Sequence, residues 1–230
     1  MLCQRAAWSN RNTAGVRYRD CVQPTYMRDA LFVTLTKRWL LVMFWLVFRI
    51  QYRGRQHIPA TGPALIVCNH QSYLDPLLVG AALPRSVRYM AMRQLFATRP
   101  IEILLRFYGA FPVATRSADT GAIKACLQYL RANELVMIFP EGERSPDGRL
   151  LEFFHGFARI AQLGEVPIVP VTIDGAVRVW PRSARWPRPG KVQVTFHAPL
   201  HPASFPFEPG LDAERISMQV RDVMETTLCS

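Results

Sequence analysis

The chain has 230 residues, 50% of them hydrophobic, and 28 Lys+Arg against 17 Asp+Glu give a formal net charge of +11. So large an apolar fraction excludes a disordered chain, and five scattered cysteines (Cys3, Cys21, Cys68, Cys126, Cys229) without a C-x-x-C pair exclude a zinc ribbon and speak for a reducing compartment. Lys37, Lys124 and Lys191 are the only lysines, so arginine carries the charge; its fork of donors suits anionic partners such as phospholipid headgroups, nucleic acid or an acidic protein.

Residues 1–27 read as a basic, disordered tail, with Arg5, Arg11, Arg17 and Arg19 against Asp20 and no apolar run of signal-peptide length. A transit peptide and a true start at Met27 are the alternatives there. Residues 28–55 read as a helical, membrane-docking segment. Trp39 to Phe48 (WLLVMFWLVF) is uninterruptedly apolar, and the pair Lys37-Arg38 separates it from Ala30-Leu31-Phe32-Val33. Ten helical residues reach only about 15 Å, against about 30 Å of bilayer hydrocarbon. A helix apolar on all sides with two Trp and flanking cations fits an interfacial anchor; a buried core helix is the plainer alternative.

Residues 56–230 alternate strand-like and helix-like segments. Strands are expected at 63–68, 87–92, 111–113, 135–139, 167–173 and 192–196. Helices are expected at 76–83, 99–108, 120–131, 156–163 and 211–228, the last amphipathic. Such alternation predicts one α/β domain, a central mixed sheet flanked by helices, preceded by the N-terminal membrane-associated segment.

Two strand ends carry chemistry, and strand ends are where open α/β sheets bind ligands. After the first strand, Asn69-His70-Gln71-Ser72-Tyr73-Leu74-Asp75-Pro76 sets a His and an Asp a short turn apart. The carboxylate can orient one imidazole nitrogen and leave the other to take a proton. Asp75 before Pro76 also reads as a helix N-cap, and His70 alone as a polar loop residue. After the strand ending at Phe139 comes Pro140-Glu141-Gly142-Glu143-Arg144-Ser145. Arg144, with Arg116 from another loop, can grip a phosphate; either alone reads as a solvated charge.

In this order, His70 with Asp75, Arg116, Phe139-Pro140-Glu141-Gly142 and Val166-Pro167-Ile168-Val169-Pro170-Val171 resemble the four motif blocks of the glycerolipid acyltransferases of the lysophosphatidate type. The resemblance implies acyl transfer from acyl-CoA or acyl carrier protein to the free hydroxyl of a lysophospholipid, 1-acylglycerol-3-phosphate before others. His70 is then the general base, Asp75 its orienter, and Arg116, Glu141, Gly142 and Arg144 the pocket for the acceptor's phosphate. It implies no acyl-enzyme, no metal and no organic cofactor, and a place on the cytoplasmic face of a membrane.

The sequence departs from that pattern at Glu143, where a small hydroxyl residue is usual, and at Phe154, where a basic residue is common. His197 stands where a glycine often occurs. These changes leave acyl transfer in place and open the choice of acceptor to another lysophospholipid, glycerol-3-phosphate or an amino-acid lyso-lipid. No Gly-x-Ser-x-Gly elbow, P-loop or Gly-x-Gly-x-x-Gly stretch occurs. His197 and His201 flank Pro199 and do not share a helix face, so no zinc pair is expected. The competing class is a non-catalytic basic protein that binds a membrane surface or nucleic acid through Arg178 to Arg188, a run with Trp180 and Trp186. No nucleic-acid motif accompanies it, so no nucleic-acid partner is expected.

Overall fold

The structure, a computed structural model, describes residues 30–113, 120–201 and 212–228. The tail at 1–27, the start at Met27 and Arg116 lie outside the described residues.

In chain order the elements are α1 (Ala30–Phe48), β1 (Gln51–Arg53), β2 (Ala64–Cys68), α2 (Asp75–Ala82), β3 (Val87–Met92), α3 (Arg99–Phe107) and β4 (Ala110–Val113). There follow α4 (Thr120–Arg131), β5 (Leu135–Ile138), α5 (Gly156–Gly164), β6 (Ile168–Asp174), α6 (Ala176–Val179), β7 (Gln193–Phe196) and α7 (Asp212–Leu228). The seven strands form one sheet in the order β1-β7-β6-β2-β5-β3-β4. β6 and β7 pair antiparallel and the other neighbours pair parallel, so the sheet is mixed as expected.

Apolar runs decide where the sheet is thickest. Every residue of β2 and β5 is buried, the pattern of strands covered on both faces. Ala64, Ile66 and Cys68 point to a core shared with α1 and α2, whereas Leu65 and Val67 point to one built with α4, α5 and α7. The result is a three-layer α/β/α sandwich.

Because β2, β3, β4, β5 and β6 run parallel, their C-terminal ends share one edge. From β2 the chain passes through α2 to β3, on the far side of β5. From β5 it passes through α5 to β6, on the far side of β2. Neighbouring strands thus send their connections in opposite directions, which opens a crevice at that edge. Both motif loops empty into it.

The N-terminal helix resolves a choice that the sequence left open. α1 continues unbroken through Lys37-Arg38, because Lys37 turns inward and its ammonium donates to the carbonyls of Leu83 (3.4 Å) and Arg85 (3.0 Å). Phe44 and Phe48 are buried in the core, while Leu35, Trp39, Val42, Trp45 and Leu46 form an exposed apolar stripe on the other side. Core and surface readings therefore belong to two faces of one helix. Among the described residues, no helix is long and apolar enough to cross a membrane.

β1, α6 and 3-10 turns at Arg55–His57 and Arg93–Phe96 were not legible in advance. Each is too short to display a period.

Candidate active site

Position 69 fixes how the chain leaves β2. The Asn69 amide accepts from Ile173 N (2.7 Å) and donates to Ile173 O (2.9 Å), tying the exit of β2 to the end of β6. His70 follows at once. Its Nδ1 lies 2.8 Å from Asp75 Oδ2, and its ring stacks on Phe139 with centroids 4.3 Å apart. Nδ1–H donating to the carboxylate leaves Nε2 as the basic nitrogen, which makes no hydrogen bond among the described residues.

Asp75 is not the N-cap that its position before Pro76 suggested. It is the first residue of α2, Leu74 holds the cap position, and no side chain caps the helix. Instead its carboxylate reaches backward: Oδ2 also accepts from Gln71 N (2.6 Å) and Ser72 N (2.7 Å). Asp75 is fully buried, and its Oδ1 has no hydrogen-bond partner. One carboxylate oxygen thus shapes the whole His70 turn, and the imidazole has little freedom to rotate.

The second loop clamps the first. Glu141 Oε1 accepts from His70 N (2.8 Å), Glu141 Oε2 accepts from Leu151 N (3.1 Å), and Ser145 N donates to His70 O (2.8 Å). Glu141 is buried, and burial pushes its carboxyl up to about 7 against the pull of those two N–H bonds. The phosphate pocket expected of Glu141 is therefore not where its oxygens point; they hold backbone. Gln71 extends the clamp, donating to Gly148 O (3.0 Å) and accepting from Val177 N (3.3 Å).

Gly142 carries φ +68, and a Cβ there would come within 2.9 Å of the exposed Phe154 ring, so turn geometry and close approach both call for glycine. Glu143 points outward to Arg182 at 3.6 Å. That exposed pair contributes at most about 1 kcal/mol, but it offsets the carboxylate charge at the site's mouth. Arg144 lies 3.5 Å above the centre of the Tyr73 ring, and its Nη1 is buried without a hydrogen-bond partner. That nitrogen is a charged donor left without an acceptor among the described residues. Tyr73 in turn packs against Trp180, whose indole donates to Ala184 O (3.0 Å), so the Arg178–Arg188 run borders the crevice.

Neither described cysteine is suited to nucleophilic work. Burial, and then the charge of Asp75, push the Cys68 thiol up; burial pushes Cys126 up to about 12. His197 is bound to Thr172 through Nε2 at 2.8 Å. Of the expected site residues, the structure brings His70, Asp75, Glu141, Gly142 and Arg144 together. Sequence reasoning missed the roles of Asn69, Gln71, Tyr73 and Phe139. They lie beside the motif residues, but only the fold shows that Asn69 and Gln71 reach across about a hundred positions.

A His–carboxylate pair at the strand ends of an α/β/α sheet, with a buried donor beside it, is an arrangement that can take up and return a proton. The chain belongs to the acyltransferase family, whose model, described as Acyltransferase, matches residues 49–174. A 1-acyl-sn-glycerol-3-phosphate acyltransferase of Bacillus subtilis is 31% identical over 158 residues, 68% of this chain and 76% of the relative. A chloroplastic 1-acyl-sn-glycerol-3-phosphate acyltransferase of Arabidopsis thaliana is 29% identical over 171 residues, 73% of this chain and 48% of the relative. The chain thus spans about half the length of the plant relative and three quarters of the bacterial one. The crystal structure of the 1-acyl-sn-glycerophosphate acyltransferase PlsC from Thermotoga maritima superposes with a TM-score of 0.73 at 24% identity, covering 92% of this chain and 85% of that one. That likeness shows the shared fold.

Proposed function

We propose that the protein moves a fatty acyl group from acyl-CoA or acyl carrier protein to the free hydroxyl of a lysophospholipid, foremost 1-acylglycerol-3-phosphate, yielding phosphatidate. The observation that carries this reading is the His70–Asp75 pair, locked by three donors on one oxygen with Nε2 left for the substrate. His70 Nε2 takes the hydroxyl proton as that oxygen attacks the thioester carbonyl. The tetrahedral intermediate collapses, the carbon–sulfur bond breaks, and the thiolate leaves with the proton returned by His70. Asp75 stabilises the imidazolium formed between the two steps. The reaction so written needs no metal or organic cofactor and no acyl-enzyme. Arg144 binds the acceptor's phosphate, with Arg116 assigned to the same task by the motif resemblance alone.

A second acceptor is supported by two particular residues. Glu143, paired with Arg182, adds no net positive charge to the mouth, and Phe154 brings an exposed ring where a cation is common, so a less anionic lyso-lipid headgroup competes with the phosphate. Purified protein given labelled acyl-CoA or acyl carrier protein and a panel of lysophospholipids and glycerol-3-phosphate decides between them. Transfer to 1-acylglycerol-3-phosphate above all others supports the first reading; preference for a zwitterionic or cationic lyso-lipid supports the second. No transfer to any acceptor overturns both.

Arg144→Ala is expected to raise the acceptor KM by about one to two decades, the loss of a charged hydrogen bond, with little change in the donor KM. An unchanged acceptor KM would return Arg144 to the surface.

On this reading residues 1–27 are a dispensable tail, 28–55 dock on the cytoplasmic face of a membrane, and 56–230 carry catalysis. The exposed stripe of α1 supplies apolar area with Trp39 and Trp45 as interfacial anchors. The cations at 178–188 add roughly 1 kcal/mol each near anionic lipid. Salt screens only the second contribution. Co-sedimentation with anionic liposomes is therefore expected to weaken at high salt without vanishing; a folded protein left in the supernatant at low salt would refute the docking.

A further inference from the structure

α3 and the 3-10 turn before it are built inside out for a protein surrounded by water. Ile101, Ile103 and Leu104 are 49%, 61% and 56% exposed, whereas the ion pair Glu102–Arg106 on the same helix is 35% and 37% exposed. An ordinary surface helix does the reverse, turning its apolar stripe to the core. No residue of α3 or of the 3-10 turn is buried. The turn adds exposed Leu95, and Met92 at the end of β3 is exposed as well.

Position identifies what covers these side chains. Met92 ends β3, and β3 runs parallel with β5 and β2, so the patch begins at the edge where His70 opens. Exposed Arg93 and Arg99 flank it, the charge that suits an anionic surface. Apolar side chains that insert while cations flank them are the signature of an interfacial element. A lipid acceptor must reach His70 from that edge.

We infer that Met92 to Leu104, from the end of β3 through the 3-10 turn and the first six residues of α3, is a second membrane-docking element, which seats the mouth of the active site on an anionic lipid surface independently of α1. The inference rests on the lipid-acceptor reading above.

The test uses the full chain with Cys3→Ser, Cys21→Ser and Cys229→Ser, carrying an environment-sensitive fluorophore at Leu104→Cys or, as control, at Arg131→Cys. Arg131 ends α4 at the opposite edge of the sheet. With vesicles of equal parts phosphatidylglycerol and phosphatidylcholine, a blue shift from position 104 and none from 131 is expected. The pair Ile101→Ser with Leu104→Ser is expected to lower vesicle binding about tenfold. The same variant keeps its activity on a monomeric short-chain lysolipid, which also reports that it folds. The inference is overturned by an unshifted 104 probe, by unchanged vesicle binding in the double variant, or by a 104 probe that responds to acyl carrier protein but not to vesicles. Absence of acyl transfer by the unsubstituted protein would instead overturn the proposed reaction, and the vesicle measurements would still judge the patch.

Discussion

His70→Ala is expected to lower turnover by about 10²–10⁴-fold while the thermal transition stays close to that of the unsubstituted protein, since a positioned general base contributes on that scale. The fold has little stake in the imidazole: its bonded partner is Asp75, and Asp75 keeps Gln71 N and Ser72 N when the ring is gone. Asp75→Asn is the informative companion. Its amide oxygen can still accept from the two backbone donors, so the turn survives, but no charge remains to stabilise the imidazolium. A large fall in kcat with unchanged KM for either substrate is expected. A folded His70→Ala protein with near-normal kcat would remove the base from the mechanism.

Glu141 is expected to produce the second largest effect, as a positioning residue. Glu141→Ala leaves His70 N–H and Leu151 N–H in the interior without acceptors, each costing about 1–3 kcal/mol. The His70 turn then loses one of its three ties to the neighbouring loop, the one at His70 N itself, so kcat falls by more than tenfold. Glu141→Gln can serve one of the two donors and is expected to recover part of the rate.

The burial of Glu141 also makes stability depend on pH. The folded carboxyl sits at about 7, above its ordinary value of 4.5, so the folded protein binds the proton more tightly than the unfolded chain does. Stability from Glu141 is then fully present below about pH 4.5 and is lost as pH rises through about 7, at a total near 3 kcal/mol. In denaturant titrations at pH 5 and pH 8, the stability of the unsubstituted protein relative to Glu141→Gln should fall between the two. A constant difference would mean that Glu141 titrates as an exposed carboxylate does.

Much of the architecture was legible because burial leaves a period. Strand β3 and helix α4 fall where the pattern placed them, at 87–92 and 120–131, and most other boundaries move by one residue. The order of the strands was not legible, since nothing in Ala64–Cys68 says that its neighbours are β5 and β6. The run Trp39 to Phe48 is apolar on every side, so it carries no sign of which face meets the core. At the site, spacing was enough to bring His70 and Asp75 together, because a short turn leaves them few alternatives. It could not orient Glu141. A carboxylate two residues from Phe139 can face the crevice or the backbone, and the choice depends on unpaired N–H groups of His70 and Leu151, distant in sequence.

One amide side chain sets a limit on how the site can adapt. At Asn69 the ladder between β2 and β6 gains an extra rung made by a side chain, which frees the main chain to turn away one residue early. The corner bearing His70 is thereby fastened to a buried strand that is paired on both sides. A corner held this way has little room to follow substrates of different shape; on the proposed reaction, the thioester and the hydroxyl are delivered to it. On the proposed reaction, accommodation of different lipids then falls to the side chains of Arg144, Tyr73 and Trp180, which meet one another through ring faces. Variation in acceptor among proteins built this way should accumulate at those three side chains, with His70 held as a fixed point of reference.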